Sequence, residues 1–302
     1  MKCFCYKHSK FDANNSFFIL EHLIMTGKKN ILAIFLLLFV AIGVQAVQVD
    51  TVMVHSKAMN KEVKVVYVVP DKATGNCGQA CPVIYLLHGH GGNAKSWITI
   101  KPELPRIADE KGIIFVCPDG KNSWYWDSPL KPAYRYETFV SDELVKYTDA
   151  HYATEADRQG RAIAGLSMGG HGALWNAIRH KDVFGAAGST SGGVDIRPFP
   201  QNWDMSKQLG EEAENQSVWD AHTVINLVPS MKKGQLAMII DCGYGDFFLE
   251  VNKNFHEALL KQGIDHDFLL RPGEHNSTYW NNSIDYQILF FQKYFQKNGI
   301  NQ

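Results

Sequence analysis

The sequence predicts an α/β fold, a mostly parallel sheet with helices packed on both faces. Two observations carry that expectation. Short unbroken apolar runs recur at Val83 to Leu87 (VIYLL), Ile113 to Cys117 (IIFVC), Ala162 to Leu166 (AIAGL) and Leu236 to Ile240 (LAMII). Strands buried on both faces of a sheet read in this way rather than as alternations. Segments of helical length lie between and after these runs, and strand followed by helix, repeated, builds a parallel sheet.

The elements follow in order. Val47 to Val54 and Val63 to Val69 form two opening strands joined by a turn, the second rich in β-branched residues (VKVVYVV). Helices are expected at Leu104 to Lys111, Glu137 to His151, Gly170 to His180, Phe247 to Gln262 and Ile284 to Lys297, and a further strand at His266 to Leu270. Pro198 to Leu227 interrupts the rhythm with prolines, Trp203, Trp219 and scattered charge. It reads as a loop insertion, or functionally as a cap over a site at the strand ends, where open α/β sheets carry their chemistry.

The N-terminus carries an address. Lys28 and Lys29 precede the apolar run Ile31 to Val44, and Val44-Gln45-Ala46 offers small residues at the cleavage positions. A membrane span needs about 20 apolar residues, more than this run supplies. Residues 25–46 therefore read as a secretory signal peptide, with residues 1–24 a start assigned too early, and residues 47–302 as a single catalytic domain with no stable membrane span after cleavage. A metal-binding tract at Cys3, Cys5 and His8 lacks a second ligand pair. In an oxidising compartment Cys77 and Cys81 suit a small disulfide loop, whereas Cys117 and Cys242, in apolar surroundings, read as buried thiols. A formal net charge of −1 without a basic run argues against a nucleic-acid partner and favours a neutral or weakly charged substrate.

The chemistry gathers around Gly165-Leu166-Ser167-Met168-Gly169, a GxSxG sequence at a strand-to-helix junction. A serine on such a sharp turn stands clear of the sheet as a nucleophile. It needs a base to take its proton and a carboxylate to orient that base. His275 lies after the His266 to Leu270 run and before the last helix, whereas His256 falls inside a helix and His266 at a strand start. Asp241 and Asp246 both follow the LAMII run; Asp246, beyond Gly243 and Gly245, sits in a turn able to swing toward His275 and is preferred over Asp241 at the strand end. Asp265 and Asp267 lie at the wrong end of their strand. His88-Gly89-His90-Gly91-Gly92 follows VIYLL, so Gly89 or His90 is expected to supply one backbone N–H to an oxyanion and Met168 the other. The same turn is a near miss for a phosphate-binding loop, since Ala94 stands where that pattern needs glycine before Lys95.

These residues resemble a known family of α/β-hydrolase fold, the group containing esterase D, tributyrin esterases, the feruloyl and acetyl xylan esterases of carbohydrate esterase family one, and mycolyltransferases. The resemblance runs over most of the chain after the leader, through YLLHGHGG (85–92), PDGKNSWYWDSP (118–129), YETF (136–139), AGLSMGGHGAL (164–174), CGYGDFFL (242–249) and GEHNSTYW (273–280). It implies a serine esterase without metal or other cofactor, and assigns the acid to Asp246. Relatives often carry an aromatic soon after the histidine, where this chain has Asn276-Ser277 and then Tyr279-Trp280.

A secreted chain points away from an intracellular glutathione thioester and toward an ester on a polysaccharide. Trp124, Tyr125 and Trp126 are candidates for the surface that meets a sugar ring or cinnamoyl group; a structural aromatic turn is the alternative. An acyltransferase on the same residues and a non-catalytic binding protein of this fold are the rival functions. The sequence leaves the oligomeric state open.

Overall fold

The computed structural model describes residues 48–74 and 78–300. The leader reading and Cys77 of the expected disulfide loop lie outside the described residues. Eight strands form one sheet in the order β1-β2-β4-β3-β5-β6-β7-β8. They span Gln48–Ser56, Lys61–Val69, Val83–Leu87, Ile114–Pro118, Arg161–Leu166, Ala186–Thr190, Ala237–Gly243 and Asp267–Arg271. β1 pairs antiparallel with β2 and β2 with β4, and every later pairing is parallel.

The apolar runs become central strands because helices cover both sides of them. On β3 and β5, Val83, Tyr85, Leu87 and Ile163 face one apolar cluster, and Ile84, Leu86, Ala162 and Ala164 face the other. That is the period-two alternation of a pleated strand, with both faces dry. The first face packs against Met168–Arg179, Leu144–His151 and Leu249–Lys261, and the second against Leu104–Lys111 and Ser277–Lys297. β1, at the sheet edge, keeps the half-exposed alternation expected there.

Three elements differ from the sequence expectation. β6 (AAGST) escapes a search for apolar runs because its residues are small; the sheet buries all five nonetheless. The helix expected at Glu137 to His151 is a turn at Tyr136–Thr138, a π-helical turn at Phe139–Glu143 and an α-helix at Leu144–His151. The last helix begins at Ser277, not Ile284, because the Asn276 side chain accepts the Tyr279 N–H and caps it.

The order β4-β3-β5 places the site. The chain leaves β3 to one side and returns across it to β5, so the loops after these strands diverge and leave a crevice between their carboxyl ends. The HGHGG turn follows β3, and Ser167 follows β5.

Candidate active site

Ser167 sits between β5 and the helix Met168–Arg179 with φ 55° and ψ −120°. That left-handed conformation costs a non-glycine residue roughly 1–3 kcal/mol. Its surroundings impose it. A Cβ on Gly165 would lie 2.2 Å from the Gly169 carbonyl oxygen, and one on Gly169 would lie 2.3 Å from that of Leu87. The two glycines let strand, turn and helix close around the serine, and its own N–H donates to the Thr190 carbonyl on β6 at 2.9 Å.

His275, on the loop between β8 and the last helix, brings Nε2 to 2.9 Å from Ser167 Oγ. Its Nδ1 lies 3.0 Å and 2.9 Å from the two carboxylate oxygens of Asp246. A carboxylate only accepts, so Nδ1 carries the proton and Nε2 is left to accept from the serine. The Phe248 N–H donates to Asp246 Oδ1 at 2.8 Å, which fixes the carboxylate from behind. The Asp246 side chain is 0% exposed and that of His275 14%, so the acid is dry while the base touches the crevice.

Of the two aspartates left as alternatives, the structure brings Asp246 to the histidine. Asp241 belongs to a separate buried network, accepting from Thr190 and Gln287 at Oδ2 (3.0 and 2.7 Å) and from Ser283 at Oδ1 (2.5 Å). Burial pushes the Asp241 carboxyl up. His256 and His266 hydrogen-bond to each other at 2.7 Å and take no part in the site.

The HGHGG turn distinguishes Gly89 from His90. The Gly89 carbonyl accepts from His88 Nδ1 at 2.7 Å and from the Gly92 N–H at 3.0 Å, while His88 Nε2 accepts the Gly120 N–H at 2.9 Å. In a planar trans peptide the N–H points opposite the carbonyl. With the Gly89 carbonyl held on one side, the His90 N–H is presented on the other. A cavity of about 320 Å³ opens here, lined by Gly89, His90, Leu166, Ser167, Trp203, Phe247, His275 and Trp280 among others. A larger groove of about 780 Å³ runs past Tyr244, Glu274 and Thr278, and Ser167 is not among its lining residues.

A hydroxyl backed by an imidazole and a buried carboxylate, opening on a cavity with backbone donors, is an arrangement for acyl transfer. The model of the "Putative esterase" family matches residues 56–291. The chain belongs to this esterase family. It is 27% identical over 214 residues to an acetyl esterase of Caldicellulosiruptor saccharolyticus, covering 67% of this chain and 79% of that one. It is likewise 27% identical over 241 residues to the S-formylglutathione hydrolase of Mus musculus, covering 71% and 82%. A solved ferulic acid esterase superposes with a TM-score of 0.72 at 28% identity, covering 83% of this chain and 99% of that structure. The fold is the α/β-hydrolase fold, and the chain is a carboxylic ester hydrolase.

The aromatic residues singled out in the sequence of this esterase need correcting. Trp124, Tyr125 and Trp126 are at most 1% exposed and do not line the cavity. Trp124 and Trp126 stack at 5.6 Å, Trp126 Nε1 donates to His171 Nε2 at 2.8 Å, and the Tyr125 hydroxyl donates to the His88 carbonyl at 3.1 Å. They are the structural alternative, a layer under the site that supports its loops. The aromatics on the cavity are Trp203 from the inserted segment, Phe247 beside Asp246, and Trp280 on the last helix. Phe247 lies 4.2 Å from the His275 ring, and Trp280 stands perpendicular to it at 5.1 Å. Trp280 thus lies near the histidine although Asn276-Ser277 departs from the usual pattern. Adjacency in sequence to Asp246 and His275 was the signal available for Phe247 and Trp280.

Among the described residues Cys81, Cys117 and Cys242 are all buried, and burial pushes the Cys81 thiol up to about 11.

Proposed function

We propose that the protein is a secreted serine esterase that hydrolyses an acetyl or feruloyl ester on a plant-type polysaccharide, or a related short acyl ester, through an acyl-enzyme. The observation that carries the reaction is the unbroken hydrogen-bonded chain Ser167–His275–Asp246 at the mouth of an aromatic-lined cavity. As Ser167 Oγ attacks the ester carbonyl carbon, its proton passes to His275 Nε2 and the carbonyl electron pair moves onto oxygen. The N–H groups of Met168 and His90 stabilise that oxyanion. Collapse breaks the bond to the leaving alcohol, which takes the proton from Nε2, and the acyl group remains on Ser167. Water then attacks the acyl carbonyl carbon, giving its proton to His275, and collapse releases the acid as Nε2 returns that proton to Ser167 Oγ. Asp246 keeps the imidazole in the tautomer that can accept and stabilises the imidazolium.

Support for the acyl group comes from Trp203, Phe247 and Trp280 on the cavity, and from relatives named acetyl esterase and ferulic acid esterase. Support for secretion is the charged-then-apolar stretch at residues 28–44. The test is hydrolysis of 4-nitrophenyl acetate, 4-nitrophenyl butyrate and methyl ferulate by the purified protein beside Ser167→Ala. The variant is expected to lose about 10⁶ in kcat; equal turnover by both proteins would overturn the reading. Mass analysis of protein recovered from the medium should find an N-terminus at Val47, and an intact Met1 or Met25 would refute secretion by cleavage.

A further inference from the structure

In the inserted segment, Asp204 meets two of the sheet loops. Asp204 Oδ2 lies 3.2 Å from His90 Nε2 and accepts from Asn122 Nδ2 at 3.2 Å, while Lys207 Nζ reaches Oδ1 at 2.7 Å. Asn122 is itself oriented, because its Oδ1 accepts the Gly91 N–H at 2.9 Å. Three loops therefore converge on Asp204: the turn after β3, the loop after β4 and the insertion. Two of its neighbours, His90 in space and Trp203 in sequence, line the cavity.

The backbone there is under strain. Trp203 and Asp204 have φ of 50° and 59°, and two successive left-handed non-glycine residues persist only where their surroundings hold them. The polar contacts that hold them include the Asp204 clasp and the bond from Trp124 Nε1 to the Trp203 carbonyl at 3.2 Å, and the Trp203 ring packs as well on Phe199 at 5.5 Å and Phe248 at 5.1 Å. Their effect is to set the Trp203 ring on Phe247, stacked at 5.5 Å with planes 20° apart.

We propose that Asp204 is a specificity-determining positioning residue: by clasping His90 and Asn122 it holds Trp203 on Phe247 as a rigid wall of the acyl cavity, and so selects a flat aromatic acyl group over acetyl. This rests on the reading that Ser167 is acylated in that cavity. An aromatic acyl group needs the wall in place, because its contact area is gained only against a preorganised surface. An acetyl group, with a single methyl, has little surface to lay against the wall and gains correspondingly less from it.

The test measures kcat/KM for methyl ferulate and 4-nitrophenyl acetate on the wild type, Ser167→Ala, Asp204→Ala, Asp204→Asn, Trp203→Ala and the Asp204→Ala/Trp203→Ala double variant. Asp204→Ala is expected to lower kcat/KM for ferulate at least tenfold, chiefly through KM, with acetate turnover within threefold of wild type. That acetate turnover also reports an intact fold. Asp204→Asn, which keeps the shape without the charge, should shift the ratio less and in the same direction. The double variant should lose no more ferulate activity than Trp203→Ala alone, since both changes remove one wall. Parallel loss of both esters in the two Asp204 variants, an unchanged ratio, additive losses, or a wild type that cleaves acetate but not ferulate would each overturn the proposal. Any of these leaves the serine esterase reading standing, provided the wild type turns over acetate and Ser167→Ala does not.

Discussion

Replacing Asp246 by asparagine tests the proposed mechanism at its least visible member. The Phe248 N–H at 2.8 Å demands an acceptor at the Oδ1 position, so the new amide nitrogen takes the Oδ2 position, 2.9 Å from His275 Nδ1. Two donors now face each other at that position, and the one remaining acceptor, Oδ1 at 3.0 Å from Nδ1, is shared with the Phe248 N–H. The imidazole relieves the conflict by moving its proton to Nε2, where it confronts Ser167 Oγ at 2.9 Å and can no longer accept. Restoring the working tautomer leaves a buried donor unsatisfied, about 1–3 kcal/mol, and the imidazolium formed in the reaction loses a charge-assisted bond worth about 1.5–3 kcal/mol. The sum, about 2.5–6 kcal/mol, corresponds to about 10² to 10⁴ in rate. Initial rates on 4-nitrophenyl acetate, with circular dichroism to verify the fold, would measure it. Asp241→Asn serves as the contrast, expected to lower the unfolding midpoint by disturbing Thr190, Ser283 and Gln287 while leaving kcat within a fewfold of wild type. An Asp246→Asn protein retaining more than about a tenth of wild-type kcat/KM would refute the reasoning.

Trp126→Phe removes the donor to His171 Nε2 and should cost roughly 1–3 kcal/mol of stability in urea unfolding, with KM for methyl ferulate unchanged; a raised KM without lost stability would return Trp126 to the substrate. Gly169→Ala would drive a Cβ against the Leu87 and His88 carbonyls, 2.3 and 2.7 Å away, displacing the turn that presents the His90 N–H. Its kcat should fall by about 10² or more, and wild-type rates would show that the turn can yield. Acid should destabilise the protein in two stages, followed by thermal unfolding against pH. Burial holds the His171 pKa down at about 3, so stability present above the unfolded value of 6.5 drains as pH falls from there toward 3. Glu137 follows: burial opposes its charge, but bonds from His180, Arg179 and Trp175 outweigh this and hold its pKa at about 2, so its contribution is lost between 4.5 and 2. A flat unfolding midpoint from pH 7 to 3 would contradict both.

The sequence by itself determined the parallel sheet, the strained serine turn and the histidine before the last helix. Each is written in contiguous residues: unbroken apolar runs mark buried strands, GxSxG marks a junction where two backbones close without Cβ atoms, and chain order singles out His275 as the candidate base. Local pattern favoured Asp246, and tertiary structure decided it, because Asp241 is turned within its strand toward Ser283 and Gln287 while only the following turn reaches His275. The aromatic assignment failed for a related reason. Trp124, Tyr125 and Trp126 look like a ligand platform in a loop, yet whether a ring faces substrate or core depends on what packs over it, and here His171, the insertion and the HGHGG turn enclose all three. The cavity wall is assembled from Trp203, Phe247 and Trp280, residues far apart along the chain. No local signal joins them; the crossover of β3 and β5 and the docking of the insertion through Asp204 bring them together.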